Sequence, residues 1–367
     1  MVHAQFGQKH PIPKNGGKTI QFRKYDSLQK LLTPLQEAVT PTGQKLNVSV
    51  VEATVRQYGG FIELSDMLLL SAIDNNMVQA TKLIGSQAGR TLDTIVREVM
   101  NSGTNIQLAD GNVSARYLLS GGNEDATLNN YLTVDGIRKC ARALKNQNAE
   151  KIDGYYVAII HPDCAYDLMS DPDWKYPHQY KDTSNIYEGE IGEVAGVRFV
   201  ETTEAKVWHA ENLAKDVREL TVKSISGAVV TINETLKEAE YNALAGRKVI
   251  IGSELFGITK ATANTITLAT VPTEEISAGA VIYPGEAGAE GRDVYSTLVI
   301  GDNAYGVTEI TGGGLEHIVK QLGSSGVADA LNQRASVGWK ATLAAIILVQ
   351  QYMIRLETAS TFQNGAN

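Results

Sequence analysis

The chain has 367 residues, 43% of them hydrophobic and 20% charged, with a formal net charge of −8. That length leaves room for a large core in two or three domains, and the composition is that of a folded globular protein. Net acidity argues against a dedicated nucleic-acid binder. No run reaches the roughly 18 consecutive apolar residues of a membrane helix; the longest, "ATLAAIILV" at 341–349, predicts a buried strand or helix. Cys140 and Cys164 form no CxxC, so nothing points to a disulfide framework. The N-terminus, "MVHAQFGQKHPIPK", lacks the apolar core of a secretory signal, and a cytosolic site of synthesis is expected.

Charge is uneven along the chain. Lys9, Lys14, Lys18, Arg23, Lys24 and Lys30 face only Asp26 within residues 1–30, a net +5 that leaves −13 for the remainder. Such a start is either a solvated basic tail or an arm that touches something acidic, another subunit or a nucleic-acid backbone.

In "KNGGKTIQFRKYDS" (14–27), Ile20 and Phe22 alternate with Gln21 and Arg23, which predicts a strand with one apolar face. "LLTPLQEAVTPTGQKL" follows, with Pro34, Pro41 and Gly43 marking a turn or mobile tip. "NVSVVEATVRQYGGFIEL" (47–64) predicts a second strand region, with adjacent Val50 and Val51 suggesting a bulge. Together the two runs predict a long hairpin. A lone two-stranded hairpin is marginal in water, so this one needs a partner surface.

Over 74–100 the spacing predicts a long helix capped by Asp74, with Met77, Ile84, Ala88, Leu92, Ile95 and Val99 on its apolar face. Gly85 and Gly89 lie one turn apart within it, and their cost to the helix suggests close approach of a neighbouring element. "ADGNVS" (109–114) reads as a turn and "TVDGIRKCARALKNQN" (133–148) as a helix. "GYYVAIIHPDCAYDLMSDPDW" (154–174) reads as a buried strand, a turn and a short helix capped by Asp163. "GEIGEVAGVRFVET" (189–202) ends in a strand. From about 211 to 288 aromatics nearly vanish; "LTVKSISGAVVTIN", "KVIIGSELFGITKATANTITLATVP" and "AGAVIYPG" predict short strands of an inserted β-rich module. Further strands are expected in "VYSTLVIGDNAYG" and "ASVGWKATLAAIILVQQYMIRLETAS". Helices and strands alternate without a repeating βαβ unit, so the class is α+β.

Chemistry is hard to find. The six histidines form no HExxH or other close metal pair. "HPDC" brings His161, Asp163 and Cys164 together, but a packed cysteine at a helix start explains it better than a nucleophile with its base. Gly252 and Gly257 have phosphate-loop spacing, yet Ile258 and Thr259 stand where Lys and Ser/Thr would grip phosphate. "TGGGLEH" (311–317) lacks the strand–glycine–helix order of a dinucleotide site and reads as a flexible loop. No catalytic, metal or cofactor residue is assigned.

The blocks "IPKNGGKTIQFRKYDSL", "TPLQEAVTPTGQKL", "ATVRQYGGFIELSD" and "QAGRTLDTIVREVM" run in that order. Near the other end stand "YSTLVIGDNAYG", "GGGLEHIVKQLGSSGVADALNQRASVGWKA" and "YMIRLETAS". Together they resemble the major capsid proteins of tailed bacteriophages related to coliphage N-four, over most of 11–205 and 294–358. The resemblance implies the Hong Kong 97-type capsid fold. It gives an N-terminal arm at 1–17, an E-loop hairpin at 18–60, and a P-domain at 61–130 with its spine helix at 74–100. An A-domain follows at 131–210, and 291–367 completes both domains. Residues 211–290 depart from the family pattern. The implied function is a shell subunit that assembles with itself into hexamers and pentamers of an icosahedral head, formed in the host cytoplasm. Portal, scaffolding and decoration proteins are further partners on this reading, and packaged double-stranded DNA is touched only non-specifically. Ile20, Phe22, Arg23 and Lys24 are the expected intersubunit contacts, with the hairpin as a clamp on the adjacent subunit. The rivals are an encapsulin-like shell around cargo enzymes, which genomic neighbours would separate, and a soluble α+β enzyme, which a micrograph showing no shells would favour.

Overall fold

The computed structural model describes residues 1–11, 17–25, 28, 30–32, 34–35, 37, 40, 43–46, 48–71, 75–109, 113–120, 130–174, 192–209, 220–252, 254–289, 292–309, 315–324 and 331–362. They divide into two compact units, Met1–Gly103 with Asp302–Tyr352, and Thr104–Gly301 with the chain from Met353. Residues 110–112 of the turn expected at 109–114, and the whole glycine run at 312–314, lie outside the described residues.

The first unit begins with β1 (Gln8–His10), β2 (Thr19–Tyr25), β3 (Val48–Thr54) and β4 (Arg56–Ser65). β2 and β3 pair antiparallel in unbroken register from Thr19 opposite Thr54 to Tyr25 opposite Val48. Val50 and Val51 therefore mark no bulge. The interruption comes at Val55, whose N–H donates to the Lys18 carbonyl at 2.8 Å. Beyond it β4 leaves the hairpin for another sheet, so the hairpin proper ends well before residue 60.

β4 leads into α1 (Asp66–Ser71) and then α2 (Asn76–Asn101). Asn75 caps α2, its side-chain oxygen accepting from the Val78 N–H at 3.3 Å; the expected cap, Asp74, lies outside the described residues. Ala80, Ile84, Ala88, Leu92, Val96 and Met100 form the buried stripe, a side chain at nearly every turn. Met77, Ile95 and Val99 are only half-buried. The expectation for Gly85 and Gly89 is corrected, because a Cβ built on either meets nothing within 4 Å.

The second unit opens with β5 (Ile106–Leu108), α3 (Val134–Asn146), β6 (Tyr156–Ile160), α4 (Pro162–Ser170), β7 (Glu193–Val194), β8 (Val197–Glu201) and β9 (Val207–Trp208). Thr133 caps α3 by accepting from the Gly136 N–H at 3.1 Å. β6 is buried along its whole length, as an uninterrupted apolar run requires, and α4 carries the chain across to β8, which pairs parallel with it.

The aromatic-poor stretch forms β10 (Leu220–Ser226), β11 (Val229–Ile232), α5 (Glu238–Leu244), β12 (Lys248–Ile251), β13 (Glu254–Ala261), β14 (Thr265–Leu268) and β15 (Val281–Pro284). Its strands close into a barrel in the order β10-β11-β14-β13-β12-β15. Leu220, Val222, Val230, Val249, Ile266 and Leu244 belong to its own apolar core. Closure leaves no free strand edge, which suits a small β-rich module.

The last stretch supplies β16 (Val294–Ile300), β17 (Tyr305–Thr308), β18 (Leu315–Lys320), β19 (Arg334–Leu343), β20 (Ala345–Ile347) and β21 (Met353–Thr358). In the second unit, β16 lies between β21 and β6 in the sheet β5-β21-β16-β6-β8-β7, and β9 also pairs with β16. In the first unit the remaining strands build two three-stranded sheets, β1-β17-β20 and β18-β19-β4. The architecture is α+β, as the alternation of elements predicts.

Candidate assembly surface

The hairpin turns its apolar face inward. Ile20 and Phe22 are buried with Ala53, Ala344, Leu348 and Val349 in one cluster of the first unit. His10 packs edge-on to the Phe22 ring, with centroids 5.3 Å apart. Ile20 and Phe22 are thus covered within their own unit, and the physical reason is long-range. The cover comes from β20 and the residues flanking it, more than three hundred positions away in the chain. Strand alternation separates the other two expected contacts. Lys24 shares the face of Ile20 and Phe22, whereas Arg23 stands on the opposite, open face, directly across from exposed Val50. Beside them, Gln21 donates to Glu52 at 2.9 Å.

The sheet β18-β19-β4 has an open face of its own. Phe61, Gly338 and Ile318 lie side by side across its three strands. Phe61 is 72% exposed, and Ile318 is exposed as well. Ion pairs flank this row, Arg334 with Glu63 at 3.2 Å and Lys340 with Glu316 at 2.9 Å. β18 is exposed at all six residues, with Leu315 and Val319 on the face opposite Ile318. In the connection between β2 and β3, Leu28, Leu31, Leu32 and Leu35 are exposed, Leu32 to 86%. Sequence reasoning missed these residues. Their i, i+3, i+4, i+7 spacing is a readable signal, although Pro34 interrupts any helix there. Most of the exposed large apolar side chains among the described residues thus belong to the first unit. Apolar surface of this extent normally marks a contact surface.

The "HPDC" cluster forms a packed helix start. His161, not Asp163, caps α4, its Nδ1 accepting from the Asp163 N–H at 3.3 Å, and Pro162 occupies the first turn. Asp163 accepts from the Tyr295 hydroxyl at 2.7 Å. Burial pushes the Cys164 thiol far above its ordinary range, which favours the protonated thiol. Burial also pulls the His161 imidazole down, against the opposing pull of Asp163. Nearby, Arg116 grips buried Glu357 through two nitrogens, at 2.7 and 2.5 Å, and its guanidinium lies 3.7 Å above the Trp208 ring. This arrangement is a structural brace. Among the described residues no His/Cys/Asp/Glu group could hold a metal ion, and no helix is long and apolar enough to cross a membrane.

Residues 49–208 match the family model described as phage capsid protein. The capsid structure of the cyanophage P-SCSP1u superposes with a TM-score of 0.55 at 13% identity, covering 97% of this chain and 87% of that one. The capsid of Ralstonia phage GP4 gives 0.55 at 12% identity over 95% and 85% of the two chains. The mature capsid of bacteriophage PhiM1 gives 0.51 at 10% identity over 97% and 86%. This is a phage capsid fold. It is consistent with the Hong Kong 97 type, and with the matched segment it supports a major capsid structural subunit. No curated protein matches the sequence.

Proposed function

We propose that the chain is the shell-forming subunit of a double-stranded DNA tailed phage, closing hexamers and pentamers of itself into an icosahedral head. The observation that carries this reading is the concentration of exposed apolar surface on the first unit of a capsid fold. The hairpin β2–β3 serves as the E-loop, α2 as the spine helix of the P-domain, and residues 1–17 as the arm. The sheet around β16 belongs to the A-domain, from whose outer surface the barrel projects. Intersubunit contact falls to the open hairpin face with Arg23 and to Lys24, while Ile20 and Phe22 hold the hairpin from within. Obligate assemblies bury roughly 2,000–5,000 Å² or more per interface, and this surface supplies the apolar part. The acidic body suits a container that must not grip its DNA, leaving only non-specific contact by the basic start. Portal, scaffolding and decoration proteins complete the partners, the role is structural rather than catalytic, and the site is the virion, assembled in the host cytoplasm.

The purified chain, examined by sedimentation and negative-stain microscopy across concentration, salt and crowding, should form rings or shells. A compact monomer under every condition overturns the proposal. Replacing 212–290 by a short Gly/Ser linker should leave shells that lack exterior density; loss of interior density instead would overturn the placement of the barrel.

A further inference from the structure

The first ten residues are attached through few and concentrated contacts. His3 is fully buried, and one carboxylate on α2 holds it twice. The His3 backbone N–H donates to Asp93 Oδ1 at 2.9 Å, and its ring Nδ1 lies 2.9 Å from Asp93 Oδ2. Tyr305 of β17 donates its hydroxyl to the His3 carbonyl at 2.5 Å. Gly7 lies against the Tyr305 ring, where a Cβ would come within 2.6 Å. β1 then adds in parallel to β17, from Gln8 opposite Gly306 to His10 opposite Thr308. The Glu309 N–H closes the register on the His10 carbonyl at 2.8 Å.

Beyond these, His10 packs edge-on to the Phe22 ring. Of residues 1–10 only His3 and Ala4 are buried. β17 pairs with β20 along its other edge, so it remains in a sheet without β1. The His3 Nε2 is buried without a hydrogen-bond partner among the described residues, which sets a cost against the two bonds to Asp93. A segment with few buried apolar groups and a handful of decisive polar contacts opens at a lower free energy than the core it covers.

We propose that Met1–His10 is a latch that opens and closes as one piece on an otherwise folded first unit, with His3 and Asp93 as its catch. Opening bares one edge of β17 together with the Tyr305 ring, and so turns a paired strand into an available one.

Native-state hydrogen exchange of the purified full-length chain at low urea tests this. Amides of Val2–His10 should exchange at least about a hundredfold faster than those in the middle of α2, with almost no dependence on urea, because local opening exposes little surface. Asp93→Asn should speed the latch amides a further tenfold or so while those of β19 keep their rates. Latch amides that share the rate and urea slope of α2 would overturn the proposal, since they would then exchange only on global unfolding. An unchanged latch rate in Asp93→Asn would remove the catch. Should that variant not fold, the urea dependence of the native chain decides alone.

Discussion

The Phe22 ring occupies the place where a side chain on residue 306 would stand. A Cβ built on Gly306 comes 2.5 Å from the ring, closer than real Cβ atoms approach. Gly306 sits in the middle of β17 between β1 and β20, so the strand has little freedom to retreat. The hairpin is thus keyed into its own subunit by the absence of one side chain.

Gly306→Ala should lower stability by about 1–3 kcal/mol, as overpacking of a filled core does. Gly85→Ala offers the contrast. Its added methyl meets open space on α2, and alanine exceeds glycine there by roughly 1 kcal/mol in helix propensity. Urea unfolding of the unassembled subunit should therefore move in opposite directions for the two variants. Equal shifts would contradict the packing described at both sites.

Removing the Phe22 ring should cost about 3–5 kcal/mol as Phe22→Ala, because the ring is fully buried in its own unit. Ile20→Asp together with Phe22→Asp should destabilise the isolated subunit outright. Circular dichroism melting before any assembly step is the measurement. A double variant that melts like the parent yet fails to form shells would return both side chains to the subunit interface.

The His161 cap predicts an acid-sensitive helix start. Burial favours the neutral ring, which holds the folded imidazole below its ordinary pKa of about 6.5. As pH falls, the unfolded chain binds that proton first, so this contribution is full above about 6.5 and is lost progressively below it. His161→Asn keeps a capping side chain but does not titrate. Stability measured from pH 8 to 5 should fall less steeply in that variant than in the parent. Identical slopes would show that the His161 proton is not linked to folding.

Much of this protein is set by local pattern. The period-2 alternation of Ile20 and Phe22, the apolar turns of α2, the strand runs between 220 and 284 and the ordered blocks at both ends need only neighbouring residues to be read. The ordered blocks at both ends, through the resemblance they carry, also imply the fold type, since a long ordered set of motifs specifies an architecture better than any one of them. What covers Ile20 and Phe22 could not be read that way. A strand announces an apolar face, but the cover lies on β20, and only chain topology brings the two together. The same holds for closure of the barrel, where β10 finds β15 about sixty residues later. It holds also for Asp93, whose partner is the third residue of the chain. Gly85 and Gly89 make the converse point. Their spacing implies a close neighbour, and the folded subunit leaves that face open, because a glycine records permission for an approach and not the approach itself.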